Sequence, residues 1–103
     1  DYLYFEGRRD QQIKKDGNRI NLIEIETAIK MYIKNECAVV YNNNMIICYI
    51  EKMEDINLDK REIFEFLQGS LPHYALPNKI VFIDEIPHNS NGKIDYNQLK
   101  LKG

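Results

Sequence analysis

The chain has 103 residues, 44% of them hydrophobic and 29% charged, enough for one soluble domain with one modest core. With 14 basic and 16 acidic side chains the formal net charge is -2. There is therefore no overall pull toward nucleic acid or an anionic membrane, and any basic site must be local. No apolar run approaches the roughly 20 residues that span a bilayer, and no signal-peptide pattern is present.

Cys37 and Cys48 lie in apolar runs, in neither CxxC nor metal-ligand spacing. Two reduced thiols buried in strands are expected, in a cytoplasmic setting, with a disulfide between neighbouring strands as the alternative. The chain begins at Asp1 rather than at a methionine, so a piece of something longer is expected.

Residues 2–6, Tyr-Leu-Tyr-Phe-Glu, read as a short strand broken by Gly7, with 11–15 as its hairpin partner and Asp16-Gly17-Asn18 as a turn. Asn21 offers an N-cap, with Glu24 three residues later in capping-box position. Leu22, Ile25, Ile29 and Ile33 then form one apolar stripe, which predicts a helix over about 22–34. The runs Cys37–Tyr41 and Met45–Ile50, joined by Asn42-Asn43-Asn44, predict a β-hairpin, because asparagine tolerates the left-handed conformation of tight turns.

Asp59 and Glu62 repeat the helix-start device. Ile63, Phe66 and Leu67 supply an apolar face, and Gly69 marks the expected stop. Leu71-Pro72 and Leu76-Pro77 predict an extended connector. Ile80-Val81-Phe82-Ile83 is a third buried strand, and a short helix is expected from Asp95. The order hairpin, helix, strand, strand, helix, strand implies an α+β fold. A small, mainly antiparallel three-stranded sheet would be covered by two helices on one face, with an N-terminal β-hairpin.

Two segments carry unusual chemistry. Asn91-Gly92-Lys93 places a lysine just after a glycine turn, where its mobile ammonium can reach an anion bound elsewhere. Gly7-Arg8-Arg9-Asp10, followed by Lys14-Lys15 and Arg19, concentrates cations that could face a phosphate or an acidic partner. Taken singly, each reads as a solvated turn or hairpin. His73 and His88 sit apart, each beside a proline, and no Ser/His/Asp or Cys/His set follows from spacing. No RNA-binding signature accompanies the seven tyrosines.

Three segments together change that reading. Gly7-Arg8-Arg9-Asp10-Gln11-Gln12-Ile13-Lys14, with Gly17, Arg19-Ile20 and Leu22-x-Glu24-Ile25-Glu26, resembles a signature of the adenylate-forming superfamily. That superfamily holds acyl-CoA ligases, luciferases and amino-acid adenylation domains. Leu71-Pro72-His73-Tyr74-Ala75-Leu76-Pro77 resembles its Leu-Pro-x-Tyr-Met-x-Pro motif, and Asn91-Gly92-Lys93-Ile94-Asp95 its terminal Asn-Gly-Lys-Val-Asp motif. The three occur in the family's order and approximate spacing, across essentially the whole chain.

The resemblance implies that residues 1–103 are a C-terminal lobe, with hinge and hairpin in 1–20 and an α+β core with a catalytic lysine loop in 21–103. The family makes an acyl-adenylate from a carboxylate and ATP with Mg2+, then passes the acyl group to a pantetheine thiol on a carrier protein or on CoA. The N-terminal adenylation domain of the same chain is the partner that holds the nucleotide; neither nucleic acid nor a membrane is implied. By the same resemblance Lys93 is the catalytic lysine that bridges the attacking carboxylate and the α-phosphate. Asp10 is the hinge, Arg8 approaches the nucleotide, and Gly17 lies in the loop beside the pantetheine path. Arg19 braces that loop or meets the acceptor's phosphate.

Asp16, Asn21, Ala75 and Tyr96 depart from the family pattern, which more often has arginine, glutamate, methionine and a basic residue there. Gln12-Ile13-Lys14 leans toward the amino-acid-activating, carrier-loading branch, including D-alanine ligases. A fragment of this kind is expected to be inactive alone. The alternative is a stand-alone, non-catalytic binding or regulatory module with the same fold.

Overall fold

A computed structural model describes residues 12–54 and 57–102. The expected strand 2–6, Arg8 and Asp10 lie outside the described residues. The first described element, β1 (Gln12–Lys15), pairs antiparallel with β2 (Asn18–Asn21). Residues 12–15 pair with the segment after Asp16-Gly17, and the expected pairing with residues 2–6 lies outside the described residues. Asp16 and Gly17 take φ of 53° and 82°. Positive φ at both central residues gives a turn whose twist matches that of the flanking strands, so the shortest closure wins.

Helix α1 (Leu22–Tyr32) starts where Asn21 Oδ1 accepts the Ile23 N–H at 2.9 Å, satisfying one of the orphan donors of the first turn. Its stripe of Leu22, Ile25, Ile29 and Ile33 is buried, as its spacing predicts. Strands β3 (Cys37–Asn42) and β4 (Met45–Glu51) form the expected hairpin, with Asn43 and Asn44 at φ of 53° and 64°. Helix α2 (Lys60–Ser70) is capped by Asp59 Oδ1, which accepts the Arg61 N–H at 2.9 Å. Gly69 does not stop this helix. It continues to Ser70 and ends at Leu71, whose extended backbone (ψ 152°) is the conformation Pro72 imposes on the residue before it. A 3-10 turn, His73–Ala75, leads to β5 (Lys79–Ile83), and α3 (Tyr96–Lys102) closes the chain.

The sheet order is β3-β4-β5. The fold is the expected α+β arrangement, with the refinement that the sheet is mixed: β3 and β4 are antiparallel, whereas β5 runs parallel to β4. A strand that returns through a crossover helix enters beside its predecessor in the same direction, and α2 is that crossover.

Both faces of the sheet are covered. On the first face, α1 and α2 pack on Cys37, Val39, Ile46, Cys48, Ile50 and Ile80, with Ile13 and Ile20 of the hairpin at the margin. On the second, Ile86 and Leu99 pack against Ala38, Val40, Ile47 and Tyr49. Strands buried on both faces need apolar residues at every position, which is why these two runs are continuous rather than alternating. Cys37 and Cys48 are free and buried in the two strands. Burial pushes the Cys37 thiol up to about 12, so it stays protonated and packs as a small hydrophobe. Among the described residues no helix is long and apolar enough to cross a membrane.

Candidate functional site

The loop that carries Lys93 is built around Asn89. The Asn89 N–H donates to the Lys93 carbonyl at 2.7 Å, and its own carbonyl accepts the Gly92 N–H at 2.9 Å. Its side-chain Oδ1 accepts the N–H groups of Asn91 (2.8 Å) and Lys93 (3.1 Å). An asparagine that bonds forward to the backbone is a natural turn organiser. Here it satisfies donors that a short exposed loop cannot pair by itself. Gly92 sits at φ +80°, and a Cβ there would meet nothing within 4 Å. The glycine is therefore required by backbone conformation rather than by crowding.

The ends of the loop are tied down. His88 pairs with Ile94 in an antiparallel bridge, and the Asp95 N–H donates to the Pro87 carbonyl at 2.8 Å. Upstream, Ile86 is fully buried and its N–H donates to Glu51 Oε1 at 2.9 Å. Downstream, Asp95 Oδ1 accepts the Gln98 N–H at 3.2 Å, capping α3, while Leu99 is fully buried. The result is a rigid frame with one free arm. The Lys93 backbone is held on both sides, its side chain is exposed, and no ion pair among the described residues engages it. That arrangement suits a cation that must leave its own domain to meet an anion.

Gly17 and Arg19 stand elsewhere. Their hairpin packs through Ile13 and Ile20 on the first face of the sheet, whereas the lysine loop packs through Ile86 and Ile94 on the second. The structure does not bring them together. Gly17, like Gly92, has positive φ (+82°) and open space around a Cβ, so its turn conformation alone requires glycine within this domain. Lys14 and Arg19 are directly opposed across the hairpin and both are exposed. Like charges at such a pair repel, and an anion held between them would relieve the repulsion.

The hairpin is fastened to the core through the proline connector. Asn78 Oδ1 accepts both Lys15 Nζ (2.7 Å) and the Ile46 N–H (2.8 Å). Ala75 is buried. Among the described residues, no group of His, Cys, Asp or Glu could hold a metal ion.

Sequence reasoning singled out neither Asn89 nor Glu26 as a site residue. Glu26 is only 7% exposed on the core side of α1. Its Oε2 accepts the Val39 N–H at 2.9 Å and the Tyr96 hydroxyl at 2.8 Å. A signal was present: Glu26 falls in the i+4 place of the stripe that starts at Leu22, where a charge is out of pattern.

Burial raises the carboxyl of Glu26 above its ordinary 4.5, against the opposing pull of the Val39 and Tyr96 hydrogen bonds and of Lys30. The stability it contributes is therefore fully present below 4.5 and is lost as pH rises through the elevated folded-state value. Glu26→Gln should accordingly melt higher than wild type at neutral pH, and the difference should vanish below about 4.5. Melting curves of both proteins from pH 4 to 7 check this; a pH-independent difference would contradict it.

Known proteins share this fold. The family model described as AMP-binding enzyme C-terminal domain matches residues 24–93. The chain is 37% identical over 99 residues to the beta-alanine-activating enzyme of Mus musculus, covering 94% of this chain and 9% of that protein. It is 36% identical over 106 residues to the D-alanine–D-alanyl carrier protein ligase of Staphylococcus haemolyticus, covering 93% and 22%. Gramicidin S synthase 2 of Brevibacillus brevis is 40% identical over 100 residues, covering 90% and 2%. In fold, ATP-bound MatB from Rhodopseudomonas palustris superposes with a TM-score of 0.82 at 21% identity, over 91% of this chain and 20% of that one. The chain thus spans 22% or less of the length of each of these relatives. The family match runs from α1 to the lysine loop, and the chain belongs to the AMP-binding enzyme C-terminal domain family, the C-terminal domain of the adenylate-forming superfamily.

Proposed function

We propose that this domain is the mobile C-terminal lobe of an acid-activating ligase, and that Lys93 is its catalytic cation for adenylate formation. The observation that carries the reading is the construction of the lysine loop: a backbone pinned by Asn89 and an exposed ammonium that no ion pair engages among the described residues. As a carboxylate attacks the α-phosphate of ATP, negative charge gathers on the phosphoryl oxygens. A positioned ammonium stabilises that charge more than it stabilises the ground state.

MgATP and the acid are substrates, held in the main by an N-terminal adenylation domain that this lobe closes over. Asp10 is the hinge of that movement and Arg8 lies near the nucleotide. After adenylation the lobe turns and presents its other face, with Gly17 and Arg19 beside the path of a pantetheine thiol. The placement of the hairpin and the lysine loop on opposite faces of one sheet fits two such orientations. The opposed Lys14 and Arg19 fit an anionic group such as the pantetheine phosphate. Relatives whose names speak of activating β-alanine and of loading D-alanine on a carrier protein favour an amino acid as substrate and a carrier protein as acceptor.

ATP–pyrophosphate exchange tests the reading. The intact ligase is expected to exchange in the presence of its amino acid, and the isolated 103-residue chain is not. Exchange by the isolated chain at the rate of the intact ligase would overturn the division of labour.

A further inference from the structure

The polar link between α1 and α3 has no part in the chemistry above. Glu26 lies on the face of α1 that covers the first side of the sheet, whereas Tyr96 begins α3, which covers the second. They meet beside β3, an edge strand among the described residues. Glu26 Oε2 takes the Val39 N–H, which β4 cannot reach, and the same oxygen takes the Tyr96 hydroxyl. An edge N–H is thereby covered, and the two layers are joined by a single acceptor atom.

As a stability device the link is poor. A buried carboxylate costs desolvation, and a well-packed apolar residue of similar volume would serve as well or better. What a carboxylate oxygen provides is direction, since it fixes where the hydroxyl, and hence the first residue of α3, must sit. Helix α3 has only 7 residues, too few to hold itself. Among the described residues its other ties include the Asp95 cap at its start, the buried Leu99 and the bond from Asn42 Nδ2 to the Lys100 carbonyl at 2.8 Å. The last two act on its later turn, and the cap is internal to the segment and does not fasten it to another layer. Ile94 and Asp95 tie the loop back to His88 and Pro87, and Tyr96, three residues beyond Lys93, joins the start of α3 to α1.

We propose that Glu26 and Tyr96 are positioning residues for Lys93: the 2.8 Å hydrogen bond from Tyr96 Oη to Glu26 Oε2 holds the first turn of α3, and with it the downstream end of the lysine loop, against α1. The proposal rests on the adenylation role given to Lys93. The ring of Tyr96 packs on the second-face core, and its hydroxyl reaches past the β3 edge.

Tyr96→Phe keeps the ring and removes only the donor. In the intact ligase it should slow pyrophosphate exchange about tenfold, through kcat, because a small misplacement of a catalytic group is costly. KM for ATP, and thioester transfer from preformed adenylate, should stay within about twofold, since neither needs Lys93 in place. Glu26→Gln retains an acceptor oxygen for the hydroxyl and should keep most of the exchange activity. Exchange unchanged in Tyr96→Phe would overturn the proposal. So would both half-reactions falling together in step with a lower melting temperature, since that is what a merely structural role produces. Lys93→Ala in the same assays separates the two levels. If it spares adenylation, the reading of Lys93 fails, whereas if it suppresses adenylation while Tyr96→Phe does not, only the positioning role fails.

Discussion

Lys93→Ala in the intact ligase is expected to slow adenylate formation by roughly 10²- to 10³-fold, the loss typical of removing one preorganised group from a developing oxyanion. Thioester transfer from preformed adenylate should change only a few-fold. The asymmetry is the informative part. The loop frame is made by the Asn89 side chain, the Asn89 and Lys93 backbone and the His88–Ile94 bridge, none of which uses the lysine ammonium. Truncating an exposed side chain that makes no ion pair among the described residues should leave stability within about 0.5 kcal/mol of wild type. Activity loss with an unchanged melting temperature would then report chemistry alone. Equal loss of both half-reactions would remove Lys93 from its assigned step.

The largest effect on stability is expected at Ile29. It is fully buried in the middle of the α1 stripe, in the cluster formed by α1, α2 and the first face of the sheet. Ile29→Ala deletes buried carbons and leaves a cavity that a sheet and two helices cannot fully close, at a cost of about 2–5 kcal/mol. Domains of this size have on the order of 5–15 kcal/mol in total, so the variant should unfold at markedly lower denaturant. Ile29→Val, which removes one methyl, should cost only about 0.5–1.5 kcal/mol. Equilibrium urea unfolding of the three proteins measures both. A loss below about 1 kcal/mol for the alanine variant would mean that α1 is not seated as described.

Much of the architecture could be read from local chemistry. Asn21 and Asp59 cap helices because each supplies an oxygen where a first turn has spare N–H groups. Asn43-Asn44 turns the hairpin because asparagine accepts positive φ. The stripe of Leu22, Ile25, Ile29 and Ile33 is buried because its period is that of a helix. The signal that misled was equally local. Gly69 looks like a stop, yet the end of α2 is decided at Leu71 by Pro72. The two-residue turn at Asp16-Gly17, by contrast, was legible, and it pairs residues 12–15 with β2.

The catalytic candidate was legible for a related reason. Lys93 sits in a loop whose turn chemistry is local, so its motif survives in the order of residues, and the family likeness adds the chemistry. What lies beyond reach of the sequence is whatever joins residues far apart along the chain. The parallel pairing of β5 with β4 depends on the side to which α2 crosses, and the covered second face depends on where α3 docks. The bond between Glu26 and Tyr96 spans 70 residues. Periodicity, caps and turns are short-range preferences written into neighbouring residues, so the amino-acid sequence alone specifies the elements and the lysine loop. Which buried polar groups meet across the sheet edge is settled by packing, because an unpaired donor or carboxylate becomes costly only after the layers close around it.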